Sequence, residues 1–321
     1  MNKICVTGAS GFVGAALCRE LHERGFFVRG IVRSLLAAAP ISDIEYIAVG
    51  NLSAVTDWSS ALVGSDCVIH CAARAHVMRE SEVDALAAYR SVNVDGSRHL
   101  AEQAAAAGVR RLVYLSSIGV NGIHTNSREP FVVSDAPKPA EDYAISKWEA
   151  EQALWAVAAN TSLELVVVRP PLVYGPGVKG NLARLMRLVC SGVPLPLGAV
   201  QNQRSLIGLH NLVDLLICCV DHPAAASRTF LASDGQDFST SQFIRLMAEG
   251  MNRRPRLLPM PVALLQMVGS LIGKRGEIDR LIGSLQVDSR DTQMQLEWSP
   301  AVSAEDGVWE MARWYAGSQA N

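Results

Sequence analysis

Tyr143 and Lys147 could do acid–base chemistry, because they lie four residues apart at the start of a predicted helix. Residues four apart share a helix face, so the Lys147 ammonium can lie beside the Tyr143 phenol and lower its pKa from about 10. A phenol of lowered pKa can donate or accept a proton at a substrate oxygen. The same spacing also occurs where a solvated lysine merely flanks a half-buried tyrosine. The pair therefore needs a second feature to indicate catalysis.

That second feature is a glycine-rich turn near the start of the chain. Thr7-Gly8-Ala9-Ser10-Gly11-Phe12-Val13-Gly14 follows the apolar run Ile4 to Val6 and precedes the amphipathic stretch Val13 to Leu21. A strand, a glycine turn and a helix in this order can hold a dinucleotide pyrophosphate at the helix N-terminus. A tight turn without a ligand has the same composition, but the flanking strand and helix favour nucleotide binding. Hydride from the dinucleotide and the proton of Tyr143 would then meet at one carbon.

The elements that must position these residues alternate between strands and helices. Helices are predicted from Gly11, Val55, Ser81 and Asp142. Strands are predicted at Ile4–Thr7, Phe27–Val32, Ile44–Val49, Cys67–Cys71, Leu112–Leu115 and Leu163–Val168. This order predicts an α/β fold with a doubly wound parallel sheet, in which ligands bind at the carboxyl ends of the strands.

The regular alternation of strands and helices ends after Tyr174-Gly175-Pro176-Gly177. A Gly/Pro-rich segment from Gly192 to Gly198 follows, and after it helices with short strands are predicted. We expect two domains: residues 1–175 as the dinucleotide-binding domain, and residues 176–321 as a smaller substrate-binding lobe that is partly interleaved with the first. A chain of 321 residues with 49% apolar content is long enough for two modest cores.

Composition narrows the classes of partner. A formal net charge of −2 argues against nucleic acid. The seven cysteines have no C-x-x-C spacing and no histidine cluster accompanies them, so we expect no metal site and a reducing compartment. The first strand begins almost at Met1, which predicts a cytoplasmic protein without a signal peptide.

One apolar segment, Leu257 to Gly273, could be mistaken for a membrane span. It contains Pro259, Pro261 and Gln266 and is shorter than the roughly 20 residues that a spanning helix needs. We predict a buried helix there and no integral membrane segment. A peripheral membrane contact or a dimer face is the alternative.

An ordered set of motifs resembles the extended short-chain dehydrogenase/reductases, in the branch of nucleotide-sugar epimerases, dehydratases and 4-keto reductases. The set covers nearly the whole chain. It comprises the glycine turn, Ile69-His70-Cys71-Ala72-Ala73, Asn93 in Val92-Asn93-Val94-Asp95-Gly96, Leu115-Ser116-Ser117, Tyr143 with Lys147, and Arg169-Pro170-Pro171-Leu172-Val173-Tyr174-Gly175-Pro176-Gly177. Leu296-Glu297-Trp298-Ser299-Pro300 is similar to the family's Leu-Gly-Trp-x-Pro, with Glu297 as a departure.

The resemblance implies roles for individual residues. Ser117, Tyr143 and Lys147 match the catalytic residues, and Ser116 is the neighbouring alternative to Ser117; strand alternation points the two serines to opposite faces, so only one can contact substrate. The residues implied in cofactor binding are Gly8, Ser10, Gly11, Phe12, Val13, Arg33, Asn51, Leu52, Cys71, Ala72, Ala73, Asn93, Tyr143, Lys147 and Pro170.

The end of the second strand bears on the choice of cofactor. NAD-binding members carry an acidic residue there for the adenosine ribose, whereas this chain has Gly30-Ile31-Val32-Arg33-Ser34. Arg33 offers a guanidinium to a 2′-phosphate, although it could also be an ordinary solvated arginine. We therefore expect NADP(H) to be preferred, with NAD(H) as the alternative.

The reaction is narrowed by the residues after Ser117. Dehydratases of this group carry Asp-Glu there, and this chain has Ile118-Gly119, which cannot move a proton. Two reactions remain. The cofactor expectation favours NADPH-dependent reduction of a UDP-linked 4-keto-6-deoxy-2-acetamido sugar in O-antigen and lipopolysaccharide biosynthesis. The alternative is a UDP-hexose or UDP-N-acetylhexosamine 4-epimerase with tightly bound NAD.

The resemblance also implies residues that contact the UDP-sugar. Asn181 and Leu182 resemble an element that faces the diphosphate, although Asn181 could instead be a helix N-cap. Arg204 resembles the basic residue of Arg-x-x-Ile-His-Val, with Gly208 where that pattern has histidine. A second arginine is expected from the last third of the chain, where Arg280 and Arg275 are candidates. A homodimer through helices at Ser81–Ala107 and Tyr143–Ala159 is implied as well.

Two rival functions remain at this point. One is a regulatory protein that keeps the dinucleotide fold without turnover, and retention of Ser117, Tyr143 and Lys147 argues against it. The other is a reductase of steroids or aldehydes with an apolar pocket, against which Arg204 and the Asn181 loop argue.

Overall fold

The computed structural model describes residues 3–37, 41–75, 84–271 and 273–318. Its centre is a parallel sheet whose inner strands are buried on both faces, which explains why they appear in the sequence as nearly continuous apolar runs. Within the described residues, the strands of this sheet are β1 (Lys3–Thr7), β2 (Phe27–Val32), β3 (Glu45–Ala48), β4 (Cys67–His70), β5 (Arg111–Leu115), β6 (Glu164–Arg169) and β9 (Arg228–Leu231).

The strand order is β3-β2-β1-β4-β5-β6-β9, and every pair is parallel. The order reverses between β1 and β4, which is where an open α/β sheet opens a ligand crevice at its carboxyl end. The predicted doubly wound sheet is confirmed. Predicted strand ends differ from the observed ones by at most one residue, as at β3, where Ile44 and Val49 lie outside the strand.

Helices cover both faces of this sheet. They are α1 (Phe12–Glu23), α2 (Ser59–Leu62), α3 (Ala85–Arg90), α4 (Gly96–Ala106), α5 (Asp142–Ala159) and α7 (Leu209–Asp221). α1 and α7 share one apolar cluster with the sheet, and α4 and α5 share another on the opposite face. The helix predicted from Val55 is wrong in extent, because only four residues from Ser59 are helical. The predicted start at Ser81 lies outside the described residues.

A second sheet has the order β10-β8-β7, formed within the described chain by β7 (Leu172–Tyr174), β8 (Arg204–Gly208) and β10 (Asp237–Phe238). The helices around it are α6 (Gly180–Ser191), α8 (Thr240–Gly250) and α12 (Ala304–Ser318), whereas α11 (Arg290–Leu296) packs beside β9 of the large sheet. α6, α8 and α12 bury a separate apolar cluster. β9 belongs to the large sheet, although it follows β7 and β8 of the small sheet in the sequence, so the chain crosses between the two sheets. A domain boundary at residue 175 stays a prediction.

Glu297, the departure from Leu-Gly-Trp-x-Pro, ends α11 in the left-handed backbone region, with φ 46° and ψ 35°. Glycine adopts this conformation without strain, since it has no Cβ. The left-handed conformation therefore explains why the family motif has glycine at this position. Glu297 adopts the same conformation at a steric cost.

The apolar segment near residue 260 forms α9 (Val262–Leu271), which packs against α10 (Arg275–Ile282). The prediction that this helix is buried is wrong, because in α9 only Leu265 and Gly269 are buried. None of the helices in the described part of the chain is long and apolar enough to cross a membrane.

Candidate active site

The glycine turn brings the backbone of three elements together at the carboxyl end of β1. Gly8 has φ +69°, and a Cβ on it would lie 2.9 Å from the Ala72 amide nitrogen. A Cβ on Gly14 would lie 2.2 Å from the Gly8 carbonyl oxygen, so the first turn of α1 closes onto the loop only without side chains. Ser10 and Gly11 are exposed at the N-terminus of α1. This open backbone, with helix amides at its edge, fits a dinucleotide pyrophosphate.

The loop after β4 is held by side chains on both sides. The Ala72 amide donates to Thr7 Oγ1 at 3.1 Å, which ties Cys71, Ala72 and Ala73 to the end of β1. Asn93 lies in a π-helical turn between α3 and α4, and its Oδ1 accepts from the Arg74 amide at 2.8 Å. Asn93 Nδ2 donates to the Arg74 carbonyl and to Ser146 Oγ. These bonds use both amide hydrogens, so Asn93 supports a dinucleotide through the loop it positions.

The residues expected around the adenosine lie at the ends of β2 and β3. Arg33 is exposed and follows β2 directly. Asn51 is exposed after β3, and its carbonyl oxygen accepts from Thr56 Oγ1 at 3.0 Å. Leu52 packs against the start of α4, where a Cβ on Gly96 would lie 2.7 Å from Leu52 Cγ. Arg33 is thus exposed at the strand end where a 2′-phosphate is expected, and its contact with a cofactor stays a prediction.

Tyr143 and Lys147 both lie on α5, as predicted, but the proton affinities differ from the prediction. Burial raises the pKa of Tyr143 to about 12, with a further contribution from the neighbouring Tyr89. Burial lowers the pKa of Lys147 to about 7, against the opposing effect of Glu151. The prediction that Lys147 lowers the Tyr143 pKa is therefore wrong for this structure, because burial dominates the proton affinity of Tyr143. The Lys147 Nζ lies 4.1 Å from the ring centroid of Tyr114 on β5.

The structure separates the two candidate serines. Ser116 is buried and donates to Glu151 Oε1 at 2.5 Å, so its hydroxyl is part of the core. Ser117 lies at the start of the turn Ile118–Val120, where its Oγ accepts from the Gly119 amide at 3.1 Å. A Cβ on Gly119 would lie 3.2 Å from the Cβ of Ala144, so this turn packs beside Tyr143. Ser117 is thus the serine in the turn that packs beside the start of α5, and its catalytic role stays a prediction.

Glu151 is a residue that the sequence analysis missed. It is fully buried, and its carboxylate accepts from Arg169 Nε at 3.0 Å and Nη2 at 2.5 Å. Arg169 Nη1 also donates to Asn121 Oδ1, which joins α5, β6 and the turn after β5. Pro170, next to Arg169, accepts from the Ile118 amide at 2.9 Å. The spacing Tyr143, Lys147, Glu151 along one helix face was the available signal.

A buried histidine lies behind the glycine turn. His70 Nδ1 is 2.6 Å from Thr7 Oγ1, and His70 Nε2 is 2.9 Å from Ser97 Oγ. Burial lowers the pKa of His70 to about 3, and the charge of Lys147 adds to the effect. This neutral ring connects β1, β4 and α4 under the loop that is expected to hold the dinucleotide.

We expect the fold to lose stability as the pH falls from about 6.5 towards 3, because the unfolded chain binds a proton on His70 that the folded chain excludes. The loss through this residue is at most about 5 kcal/mol. Urea unfolding followed across this range should be flatter in His70→Gln than in the wild type. An equal slope in both would contradict this assignment, and His124→Gln at an exposed position is the control.

Asn181 and Leu182 lie in the first turn of α6. Asn181 is exposed and is the second residue of the helix, while Lys179 occupies the N-cap. The alternative in which Asn181 is an N-cap is therefore wrong. Leu182 is buried in the apolar cluster around α6, α8 and α12, so only its backbone remains for a ligand.

Arg204 and Arg280 meet at the end of α10. Arg204 Nη1 donates to the Arg280 carbonyl at 2.6 Å and to the Gly283 carbonyl at 3.0 Å. Arg280 Nη2 donates to Glu141 Oε1 at 2.5 Å, and Glu141 is the N-cap of α5, two residues before Tyr143. Arg275 pairs instead with Asp279 within α10. The structure thus brings Arg280, rather than Arg275, next to the catalytic helix; contact with a diphosphate stays a prediction.

Residues 4–231 match the NAD dependent epimerase/dehydratase family. With the parallel sheet, the glycine turn and the Ser117, Tyr143 and Lys147 corner, the chain belongs to this family. This match confirms the resemblance to the extended short-chain dehydrogenase/reductases that the motifs indicate.

Among curated relatives, the chain is 43% identical to UDP-glucose 4-epimerase of Vibrio cholerae, over 97% of this chain and 95% of that protein. It is 26% identical to N-acetyl-alpha-D-glucosaminyl-diphospho-ditrans,octacis-undecaprenol 4-epimerase of Escherichia coli O157:H7, over 82% of this chain and 77% of that protein. Its fold is similar to UDP-glucuronic acid 4-epimerase from Bacillus cereus in complex with NAD, with TM-score 0.79, 19% identity, and coverage of 99% and 100% of the two chains.

Proposed function

We propose that the protein interconverts the C4 epimers of a UDP-hexose or UDP-N-acetylhexosamine, with a nicotinamide dinucleotide that is regenerated in every turnover. The observation that carries this proposal is the 43% identity, over nearly the full length, to a UDP-glucose 4-epimerase. The sequence favoured 4-keto reduction, and the comparisons favour the alternative, 4-epimerisation, which both curated relatives share by name.

A bound nicotinamide dinucleotide would supply the hydride acceptor and then the hydride donor. Tyr143 would act in its phenolate form, which Lys147 in its cationic form would stabilise against the effect of burial. The phenolate Oη would take the proton of the C4 hydroxyl during hydride removal, which leaves a 4-keto sugar, and would return that proton to the C4 oxygen after the sugar has turned its other face. Ser117 Oγ would hydrogen-bond the C4 oxygen. The cycle consumes no proton and no electron pair.

The residues after Ser117 support this choice over water elimination. Ile118 and Gly119 form the turn beside Ala144, and neither side chain can carry a proton. Elimination needs an acid and a base at two further carbons. Ser117, Tyr143 and Lys147 suit a reaction in which only the C4 carbon and its oxygen change.

The decisive experiment incubates purified protein with UDP-glucose, and separately with UDP-N-acetylglucosamine, with and without added NAD. NMR of the products reports the configuration at C4. Formation of the C4 epimer, with no net change in nicotinamide absorbance, is the expected result. No interconversion of either sugar under both cofactor conditions would overturn the proposal.

A second candidate is the NADPH-dependent 4-keto reductase, and Arg33 is the observation that favours it. Arg33 is exposed at the end of β2, and the strand end carries no carboxylate in Gly30-Ile31-Val32-Arg33-Ser34. If Arg33 pairs with a 2′-phosphate, Arg33→Ala should weaken NADPH binding by about 2 kcal/mol or more, because a charged hydrogen bond is lost. NADH binding should hardly change, and fluorescence titration measures both.

Arg24→Ala is the matched control, since Arg24 is an arginine at the other end of α1 that pairs with Glu20 and Asp214. Equal losses for NADH and NADPH in Arg33→Ala would remove the support for NADP(H). A wild type that consumes one NADPH per 4-keto sugar and does not epimerise would favour the reductase.

A further inference from the structure

The outer face of α9 is apolar and in contact with solvent. Leu264, Met267, Val268 and Leu271 lie at i, i+3, i+4 and i+7, so they form one stripe along the helix. Their exposed fractions are 38%, 54%, 39% and 78%. Leu258 and Val262, just before this stripe, are also exposed.

The opposite face of α9 already has its partner. Leu265 and Gly269 are buried, and a Cβ on Gly269 would lie 2.8 Å from Ile278 Cγ1 of α10. An ordinary surface helix buries its apolar stripe and exposes polar residues, whereas α9 is apolar on both sides. A contiguous exposed apolar surface of this kind marks an interaction site. We call α9 and α10 together the hairpin.

Basic residues lie before and after the apolar stripe. Arg253, Arg254 and Arg256 precede the hairpin and are exposed. Lys274 and Arg275 follow the stripe at the turn between the two helices, where each pairs with a carboxylate of α10. Residues 252–281 contain six basic and two acidic side chains, in a chain whose net charge is −2. Among the described residues, no carboxylate forms an ion pair with the three arginines before the hairpin.

We propose that the hairpin docks the protein on an anionic phospholipid bilayer. The stripe of α9 would lie in the plane of the interface, with its apolar side chains at the acyl boundary and the flanking cations on lipid phosphates. A helix of ten residues is too short to span the bilayer and long enough to lie in its surface. This proposal does not rest on the proposed reaction.

A second copy of the chain is a poorer occupant of this surface. A two-fold interface places the same patch on both partners, so the basic groups of two hairpins would approach each other. Like charges at short range oppose that association, whereas an anionic bilayer attracts the three arginines that precede the stripe.

Docking here also orients the catalytic corner. Arg280 of α10 donates to Glu141, the N-cap of α5, so the hairpin adjoins the helix that carries Tyr143. The bilayer surface would therefore lie on the same side of the molecule as the start of the catalytic helix.

Flotation with vesicles tests the proposal. Purified protein is mixed with vesicles of phosphatidylcholine alone or with about 30% phosphatidylglycerol, whose negative surface attracts basic side chains. We expect the vesicle-bound fraction to be about tenfold higher with the anionic lipid, and to fall in high salt because screening weakens the attraction.

Two double variants separate the contributions. Met267→Ser with Leu271→Ser removes apolar contacts, and Arg254→Gln with Arg256→Gln removes charge; each should lower vesicle binding about tenfold or more. The matched control is Phe27→Ser with Val63→Ser. Both positions are exposed and apolar, and both are far from the hairpin in the sequence, so this variant should bind vesicles like the wild type. Circular dichroism checks that all variants are folded.

The absence of anionic-vesicle binding by the wild type would overturn the proposal, as would equal binding by all variants. Sedimentation velocity without vesicles provides the other test. A dimer that becomes a monomer in Met267→Ser with Leu271→Ser, together with no vesicle binding, would assign the stripe to a second copy instead. The vesicle assay measures binding without any reaction of a UDP-sugar. A negative result would therefore contradict the membrane proposal and would not affect the proposed epimerase reaction, which has a separate assay.

Discussion

Replacing Tyr143 with phenylalanine is expected to lower turnover by about 10²- to 10⁴-fold. The ring continues to pack against Tyr89, whose ring centroid lies 6.1 Å away, so the local fold is retained. The variant lacks the hydroxyl that we assign to proton transfer at the C4 oxygen. Epimerisation of the UDP-sugar under saturating substrate measures the loss, and cofactor binding should be unchanged.

Tyr315→Phe is the control for this variant, since it removes a tyrosine hydroxyl from the cluster of the smaller lobe. It should turn over like the wild type. If Tyr143→Phe kept wild-type turnover, the proton-transfer role of Tyr143 would be wrong, whatever the reaction proves to be.

Replacing Lys147 with methionine is expected to reduce turnover and cofactor affinity together. Lys147 is buried, with Nζ over the Tyr114 ring, and it is assigned both to the Tyr143 phenolate and to the nicotinamide ribose. Tyr143→Phe should affect only the first of these. Steady-state kinetics and a cofactor titration, measured on both variants and on exposed Lys138→Met, distinguish the two roles.

The same Lys147→Met variant should be at least as stable as the wild type at pH 7. Burial lowers the Lys147 pKa from its ordinary 10.5 to about 7, so the unfolded chain binds this proton more tightly than the folded chain. The wild type therefore loses stability as the pH falls from about 10 to 7, and the variant does not. A clear loss of thermal stability in Lys147→Met, with normal turnover, would indicate a structural lysine only.

Several features of the site could be predicted because they depend on nearby residues. The glycine turn is encoded by its flanking strand and helix, and the structure adds that Gly8 and Gly14 leave no room for a Cβ. Tyr143 and Lys147 share a face because both lie on one helix. The parallel sheet follows from alternating apolar runs, since each crossover helix must pack back on its strands.

Other features depended on contacts between distant segments. Ser116 and Ser117 are equivalent in sequence, and they differ because Glu151 and Arg169 take the first into the core. The motif around Asn93 predicted a contact with the cofactor. In the structure, the Asn93 side chain is hydrogen-bonded to Arg74, 19 residues earlier in the chain, and to Ser146, 53 residues later.

The sequence by itself determined the fold class, because periodicity and turn chemistry are local properties of the chain, and its ordered motifs determined the family. The catalytic roles of Ser117, Tyr143 and Lys147 stay predictions from the same motifs. Only the tertiary structure decided the proton affinities of Tyr143 and Lys147, which burial shifts in opposite directions. It also showed that α9 exposes its apolar stripe, where the sequence predicted a buried helix. Both outcomes depend on desolvation, and the exposure of a side chain to water is set by which distant segments of the chain pack around it.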